Sequence, residues 1–137
     1  MKIDDEIGRF ASARRAILSS VNPDGTPHLV PIVFARLDDR LVTAIDWKPK
    51  TTRELKRLAN IRADPAVSLI VDNYQDDWTG LWWVRATGSA RVIEADTDEG
   101  TAAINALVEK YEQYQTDRPG GPVIVVDNLT WRSWRAS

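Results

Sequence analysis

Apolar positions along the chain follow two rhythms, one helical and one alternating. Ile3, Ile7 and Phe10 recur at i, i+4 and i+7, which predicts a short helix from Asp4 to about Ala13. From Arg15 to Val21 the residues suit a strand. Asn22-Pro-Asp-Gly-Thr-Pro27 is a turn, because Pro23 fixes φ and Gly25 is free to take a positive φ after Asp24. Leu29–Ala35 and Leu41–Ile45 are β-rich runs around an Asp38-Asp39 turn, and the three runs together suggest a meander.

Helical spacing returns after Thr51 and Thr52. Either hydroxyl can cap a helix reaching about Arg62, with Leu55, Leu58 and Ala59 on one face, and Pro65 stops it. Ala66–Asp72 then reads as a short apolar strand. An acidic, aromatic loop (residues 73–80) leads to a longer strand, Leu81–Ile93, with Gly88 where a bulge or barrel corner is expected. Asp96 or Thr97 caps a further helix carrying Ile104, Leu107, Val108 and Tyr111 on one side. Gly120-Gly121-Pro122 breaks the pattern, Val123–Val126 forms a last strand, and the tail is WRSWRAS.

These segments give six strands and three helices in one domain spanning residues 1–137. Strands joined mostly by short turns favour an antiparallel sheet or small barrel over a parallel α/β fold. The expected class is therefore mainly β, with flanking helices.

Composition narrows the chemistry. With no cysteine, disulfides, thiolate nucleophiles and cysteine-bound zinc are excluded, and one histidine rules out a His-rich metal site within one chain. A net charge of −2 speaks against nucleic-acid binding, and no apolar run is long enough to span a membrane. The acidic start, MKIDDEIGRF, lacks the apolar core of a signal peptide, so a cytoplasmic protein is expected. Six tryptophans are a heavy aromatic load for 137 residues, and part of it suits burial against a second subunit.

One stretch inverts the local charge. From Lys48 to Arg62 there are six basic residues (Lys48, Lys50, Arg53, Lys56, Arg57, Arg62) against one acid, Glu54. Lys48 and Lys50 flank Pro49, which fixes an extended exit from the preceding strand. Thr51 and Thr52 follow at an expected helix start, where free N–H groups and the helix dipole favour a phosphate. The alternative for Arg53, Lys56 and Arg57 is a solvated basic helix face. His28, after a turn, suits either a structural or a functional role. Asp72, Asp76 and Asp77 read as a solvated acidic loop. In the strand Leu81–Ala86, alternation puts Trp82 and Val84 on one face and Trp83 and Arg85 on the other. Two adjacent tryptophans pointing opposite ways cannot fill the same core, so one needs another partner.

In order along the chain come Gly25-x-Pro27-His28-x-Val30-Pro31, Thr43 to Asp46, Lys48-Pro-Lys50, Arg57-Leu-x-Asn-Ile61, Asp64-Pro65-x-Val67, Asp77-Trp78, Leu81-Trp-Trp-Val-Arg85 and Gly88-x-Ala90. This succession resembles the pyridoxamine 5'-phosphate oxidase-like superfamily, and within it the actinobacterial branch of coenzyme F420-dependent oxidoreductases. The likeness covers nearly the whole chain and includes Trp131-x-x-Trp134. It implies a six-stranded antiparallel split β-barrel of the FMN-binding kind, forming a homodimer with cofactor sites between protomers. It implies that Val30, Pro31, Ile32, Val33, Thr43, Ala44 and Asp46 line the cofactor ring. Lys48, Pro49, Lys50, Thr51 and Thr52 would hold its phosphate, Arg57 with Arg53 and Lys56 would meet the polyglutamate tail of F420, and Trp78, Trp83, Arg85 and Trp131 would close the site across the dimer.

The implied activity is hydride transfer between F420 and a small organic substrate. An FMN flavoprotein and a non-enzymatic cofactor- or haem-binding barrel are the alternatives. The strand His-Leu-Val-Pro-Ile-Val stands where true pyridoxamine-phosphate oxidases carry arginine and lysine, so pyridoxal-phosphate synthesis is not expected.

Overall fold

Alternating burial along the strands lays out the molecule. The computed structural model describes residues 3–45 and 55–136. In chain order these form α1 (Ile3–Ala11), β1 (Ala16–Val21), β2 (Pro27–Ile32), β3 (Ala35–Leu37), β4 (Arg40–Ala44) and α2 (Lys56–Ala63). There follow β5 (Ala66–Asn73), a 3-10 turn (Trp78–Gly80), β6 (Trp82–Ile93), α3 (Asp98–Lys110), α4 (Glu112–Thr116) and β7 (Val123–Arg135). The strands make one seven-stranded sheet, ordered β2-β1-β5-β6-β7-β4-β3, with every pairing antiparallel.

The sheet is open in its hydrogen bonding yet cannot be flat. Seven strands laid flat span six gaps of about 4.8 Å, roughly 29 Å in all. The two edge strands, β2 and β3, are joined by Val33 and Phe34 alone, three Cα steps of about 3.8 Å each. The sheet must therefore curl until its edges nearly meet. Accordingly, Leu18 and Ile32 from one half surround the same interior as Leu41, Ile124 and Val126 from the other. Phe10 of α1 and Leu58 and Ile61 of α2 complete this core.

A second core covers one outer face. Val42, Val123 and Val125 pack against Ile104 and Leu107 of α3. Among the described residues, the outer face of β2, β1, β5 and β6 has no such cover. It presents Leu29, 65% exposed, together with Ile17, Ile70 and Trp83, all of them partly exposed.

The expected mainly-β fold with flanking helices is present, but the strand count is seven rather than six. The run Leu29–Ala35 divides at Val33–Phe34, because Phe34 gives its backbone N–H to the Tyr111 hydroxyl instead of a neighbouring strand. The last strand is also far longer than Val123–Val126. It pairs with β6 as far as Arg135, so the tail is sheet. α2 begins at Lys56 with Leu55 in the N-cap position and no side-chain cap. The expected caps Thr51 and Thr52 lie outside the described residues.

Gly88 marks the expected bulge. Thr87 pairs with Thr130 and Ser89 with Asp127, so Gly88 faces two residues, of which Asn128 has φ 57°. A Cβ at Gly88 would lie 2.4 Å from the Asp127 carbonyl oxygen, and this close approach requires glycine. No described helix is long and apolar enough to cross a membrane.

Charge ties the start of α3 to the sheet. Arg91 donates to both Glu99 carboxylate oxygens at 2.6 Å and to Asp127 at 2.6 Å, and Arg40 also donates to Glu99. Hydrogen bonding from Arg91, then the nearby charges of Arg91 and Arg40, holds the Glu99 carboxyl below its usual value. Such a group stabilises the fold at neutral pH and loses that contribution as pH falls through its lowered pKa. Glu99→Gln is expected to reduce stability at pH 7 by about 0.5–1 kcal/mol, the range of a partly exposed network. Urea midpoints at pH 7 and pH 3 check this, since the gap between variant and wild type closes in acid.

Candidate functional site

A cavity of about 290 Å³ opens where β2 and β4 run out beside α2, lined by Pro31, Ile32, Val33, Thr43, Ala44, Ile45, Leu55, Arg57 and Tyr114. Its position follows from the split. β2 leaves the ladder at Ile32, so residues of both its faces reach one space. On the other side β4 ends at Ala44, and Gly121 presses so close to Ile45 that a Cβ there would lie 2.4 Å from the Ile45 carbonyl oxygen.

The wall combines aliphatic side chains with the polar groups of Thr43, Arg57 and Tyr114. Thr43 donates its hydroxyl to the Val33 carbonyl at 2.7 Å, which pins the two sides together. Arg57 is the exception. It reaches in from the first turn of α2, and its Nε is buried with no hydrogen-bond partner. Burial lowers its pKa, with Tyr114 acting in the opposite direction. A buried donor left unpaired costs about 1–3 kcal/mol, more when it belongs to a charged group. The Arg57 side chain also places a positive charge on the cavity wall, where it would attract a phosphate or carboxylate.

The structure brings together Pro31, Ile32, Val33, Thr43, Ala44 and Arg57, six residues expected at the site. Val30 stands beside them, packed on the main core. Asp46, Lys48, Pro49, Lys50, Thr51 and Thr52 lie outside the described residues. The aromatic set is elsewhere. Trp78 is 75% exposed on the 3-10 turn. Trp83 and Arg85 share the uncovered outer face, with the Arg85 guanidinium 5.0 Å from the Trp83 ring centre. Trp131 packs edge-on to Phe10 at 5.1 Å, so its ring is engaged by the core of its own chain.

Ile45 falls within the expected run Thr43–Asp46, whereas Leu55 and Tyr114 were not foreseen as site residues. Tyr114 lies on the short helix α4, past the extended break at Tyr111, so helical spacing gave no signal for it. His28 does not line the cavity. It stands opposite Ser20 in the β1–β2 ladder, with Nδ1 buried and unpartnered. Asp77 caps the 3-10 turn by accepting from the Thr79 N–H at 3.1 Å. Among the described residues no three His, Asp or Glu side chains converge as metal ligands.

No curated protein matches the chain in sequence. Solved structures share its fold. A conserved hypothetical protein of Mycobacterium tuberculosis superposes with TM-score 0.77 at 21% identity, covering 99% of this chain and 86% of that one. A heme-binding protein of Mycobacterium smegmatis gives 0.69 at 18% identity, over 93% of this chain and 55% of that one. An FAD-binding protein of the same organism gives 0.64 at 16% identity, over 98% and 97%. The family model described as pyridoxamine 5'-phosphate oxidase matches residues 3–135, and the chain therefore belongs to that family.

Proposed function

We propose that the protein is a cytoplasmic homodimer that binds coenzyme F420 in this cavity and transfers a hydride between it and a small organic substrate. The observation that carries the reading is Arg57, a partly buried cation on the cavity wall whose Nε has no hydrogen-bond partner. The volume supports it in part. About 290 Å³ is at the low end for ligand pockets, enough for a portion of a cofactor whose remainder lies outside. Ile45 and Leu55, both on the cavity wall, are the residues that flank segment 46–54. Lys48, Lys50, Thr51 and Thr52, in that segment, are the residues proposed to supply charge and hydrogen bonds for a phosphate.

A bound deazaflavin or flavin itself supplies the hydride chemistry. This chain's residues would bind, orient and shield. Pro31, Val33, Ala44, Ile45 and Leu55 keep water from one side of the site. Thr43, fixed by its bond to Val33, keeps the pocket's width constant. Arg57 would set a positive charge beside the bound group.

A second copy is proposed on the uncovered outer face. Pro31 belongs both to that face and to the cavity wall, so a partner seated over Leu29, Ile17 and Ile70 would also help close the pocket. Trp78, Trp83 and Arg85 are the residues proposed to act across the dimer.

FMN is the second reading, favoured by the FAD-binding neighbour of the same fold. Haem is the third, on the strength of the heme-binding neighbour. The lone histidine standing away from the cavity counts against it. Pyridoxal-phosphate synthesis remains unexpected, because β2 offers His28, Leu29, Val30, Pro31 and Ile32 with no arginine or lysine.

The deciding experiment titrates the protein separately with F420, FMN and haem, following tryptophan quenching, and repeats each with Lys50→Ala. The expected result is tightest binding to F420, weakened by roughly tenfold or more in the variant. Tighter FMN binding would keep the site and change the cofactor. If none binds, the redox reading falls.

A further inference from the structure

The corner between β2 and β3 lacks a ladder of its own, and side chains from the end of α3 stand in for one. The Phe34 N–H donates to the Tyr111 hydroxyl at 3.1 Å. The Phe34 carbonyl accepts from Lys110 Nζ at 2.9 Å, and the Tyr111 hydroxyl lies 3.0 Å from it and 3.0 Å from the Arg14 carbonyl. A phenol has one proton to give. With the Phe34 carbonyl already taken by the ammonium, donation to Arg14 leaves each of these groups partnered. Arg14 closes the circle, donating Nη2 to the Lys110 carbonyl at 3.1 Å. Lys110 Nζ also lies 3.9 Å from the centre of the fully buried Phe34 ring.

The corner held in this way is also a wall of the cavity. Val33 lines it and is bonded to Thr43. Tyr114, in edge contact with Tyr111 at 5.9 Å between ring centres, lines it too.

We propose that Lys110 and Tyr111 are positioning residues for the cofactor cavity, and that the charge on Lys110 sets how firmly the Val33–Phe34 corner is held. The geometry stands by itself; the effect on binding rests on the cofactor reading above. Burial, assisted by the positive Arg14, pushes the Lys110 ammonium down to about 8. The groups against it are Arg14 from the α1–β1 link, Tyr111 beside it, and the ring and carbonyl of Phe34 from the corner. Burial pushes the Tyr111 phenol up, so it stays neutral over the same range. Proton loss from Lys110 removes its cation–π contact and turns a charge-assisted hydrogen bond into a neutral one of roughly half the strength. The corner loosens, and cofactor affinity falls as pH rises.

Two measurements on wild type and Lys110→Arg test this between pH 6.5 and 9.5. In the cofactor-free protein, NMR follows the Lys110 side chain together with the amides of Val33, Phe34 and Thr43. The amides should titrate with Lys110 in wild type and stay still in Lys110→Arg, whose charge persists. Amides that ignore the Lys110 titration overturn the proposal whichever cofactor binds. F420 and FMN affinities are then measured over the same range. Wild type should lose roughly three- to tenfold, and Lys110→Arg should stay flat. Moving amides with unchanged affinity overturn the coupling to the cavity. If neither cofactor binds at any pH, the cofactor reading fails and the coupling with it, while the amide shifts still establish the corner as a latch.

Discussion

Arg57→Met is expected to weaken cofactor binding about a hundredfold while making the cofactor-free protein more stable. The two effects share one cause. In the free protein the Arg57 Nε is buried without an acceptor, an arrangement that costs the fold. Methionine keeps most of the aliphatic stem against the cavity wall and removes the desolvated cation, which should raise stability by about 1 kcal/mol. With cofactor present the balance reverses. A hydrogen bond to a charged group is worth about 1.5–3 kcal/mol, and a hundredfold in affinity lies at the upper part of that range. Thermal melts of the free protein and quenching titrations with F420 and FMN read the two halves separately. A variant that binds as well as wild type would show Arg57 to be a helix residue with no ligand role. A destabilised free protein would show that its donor already has a use in the fold.

Phe34→Ala is expected to cost about 3–5 kcal/mol, the range for truncating a buried aromatic. For a domain whose total stability is of order 5–15 kcal/mol, that is enough to leave much of the population unfolded at moderate temperature. Phe34 is fully buried, its ring centre 5.1 Å from that of Phe10 on one side and 3.9 Å from Lys110 Nζ. Removing the ring opens a void where the two barrel edges meet and strips the ammonium of its aromatic contact. Urea unfolding at pH 7 measures the loss. Phe34→Leu should lose markedly less, because it refills most of the volume. Equal losses in the two variants would show that the aromatic character of the ring, and not the space it fills, holds the corner.

Regular elements were legible in the sequence to the extent that local pattern decided them. β5 and β6 begin and end within a residue of expectation, because Val67, Leu69 and Val71, then Val84 and Ala86, alternate strictly with outward residues. The opposed faces of Trp82 and Trp83 follow from the same alternation. The Thr97 cap and the Gly88 bulge were readable from residue type.

The break at Val33–Phe34 was not readable. Nothing in the run from Leu29 to Ala35 announces a turn, and the bond that interrupts the strand comes from Tyr111, far along the chain. β7 was cut short for a related reason: the ladder to β6, which carries it through Trp131 and Trp134, is a long-range pairing with no local signature. At the site, residues of β2 and β4 were grouped by family likeness, since spacing alone does not say that two strand ends face each other. Tyr114 was missed because it lies beyond the break at Tyr111, where the helical period no longer applies.

The place of β7 in the sheet has a consequence for how the molecule assembles. β7 lies between β6 and β4, so the hairpin of β3 and β4 has no other strand to pair with until β7 arrives. An isolated two-stranded hairpin is marginal in water, and closing a loop this long carries an entropy cost before any contact rewards it. The β2-β1-β5-β6 half can form its ladders first, whereas the β3–β4 half waits with Leu41, Val42 and Ala44 unsheltered. Docking of β7 then joins the halves in one late event. Refolding should be slow for a domain of this size, and crowding before that event favours aggregation through the waiting hairpin.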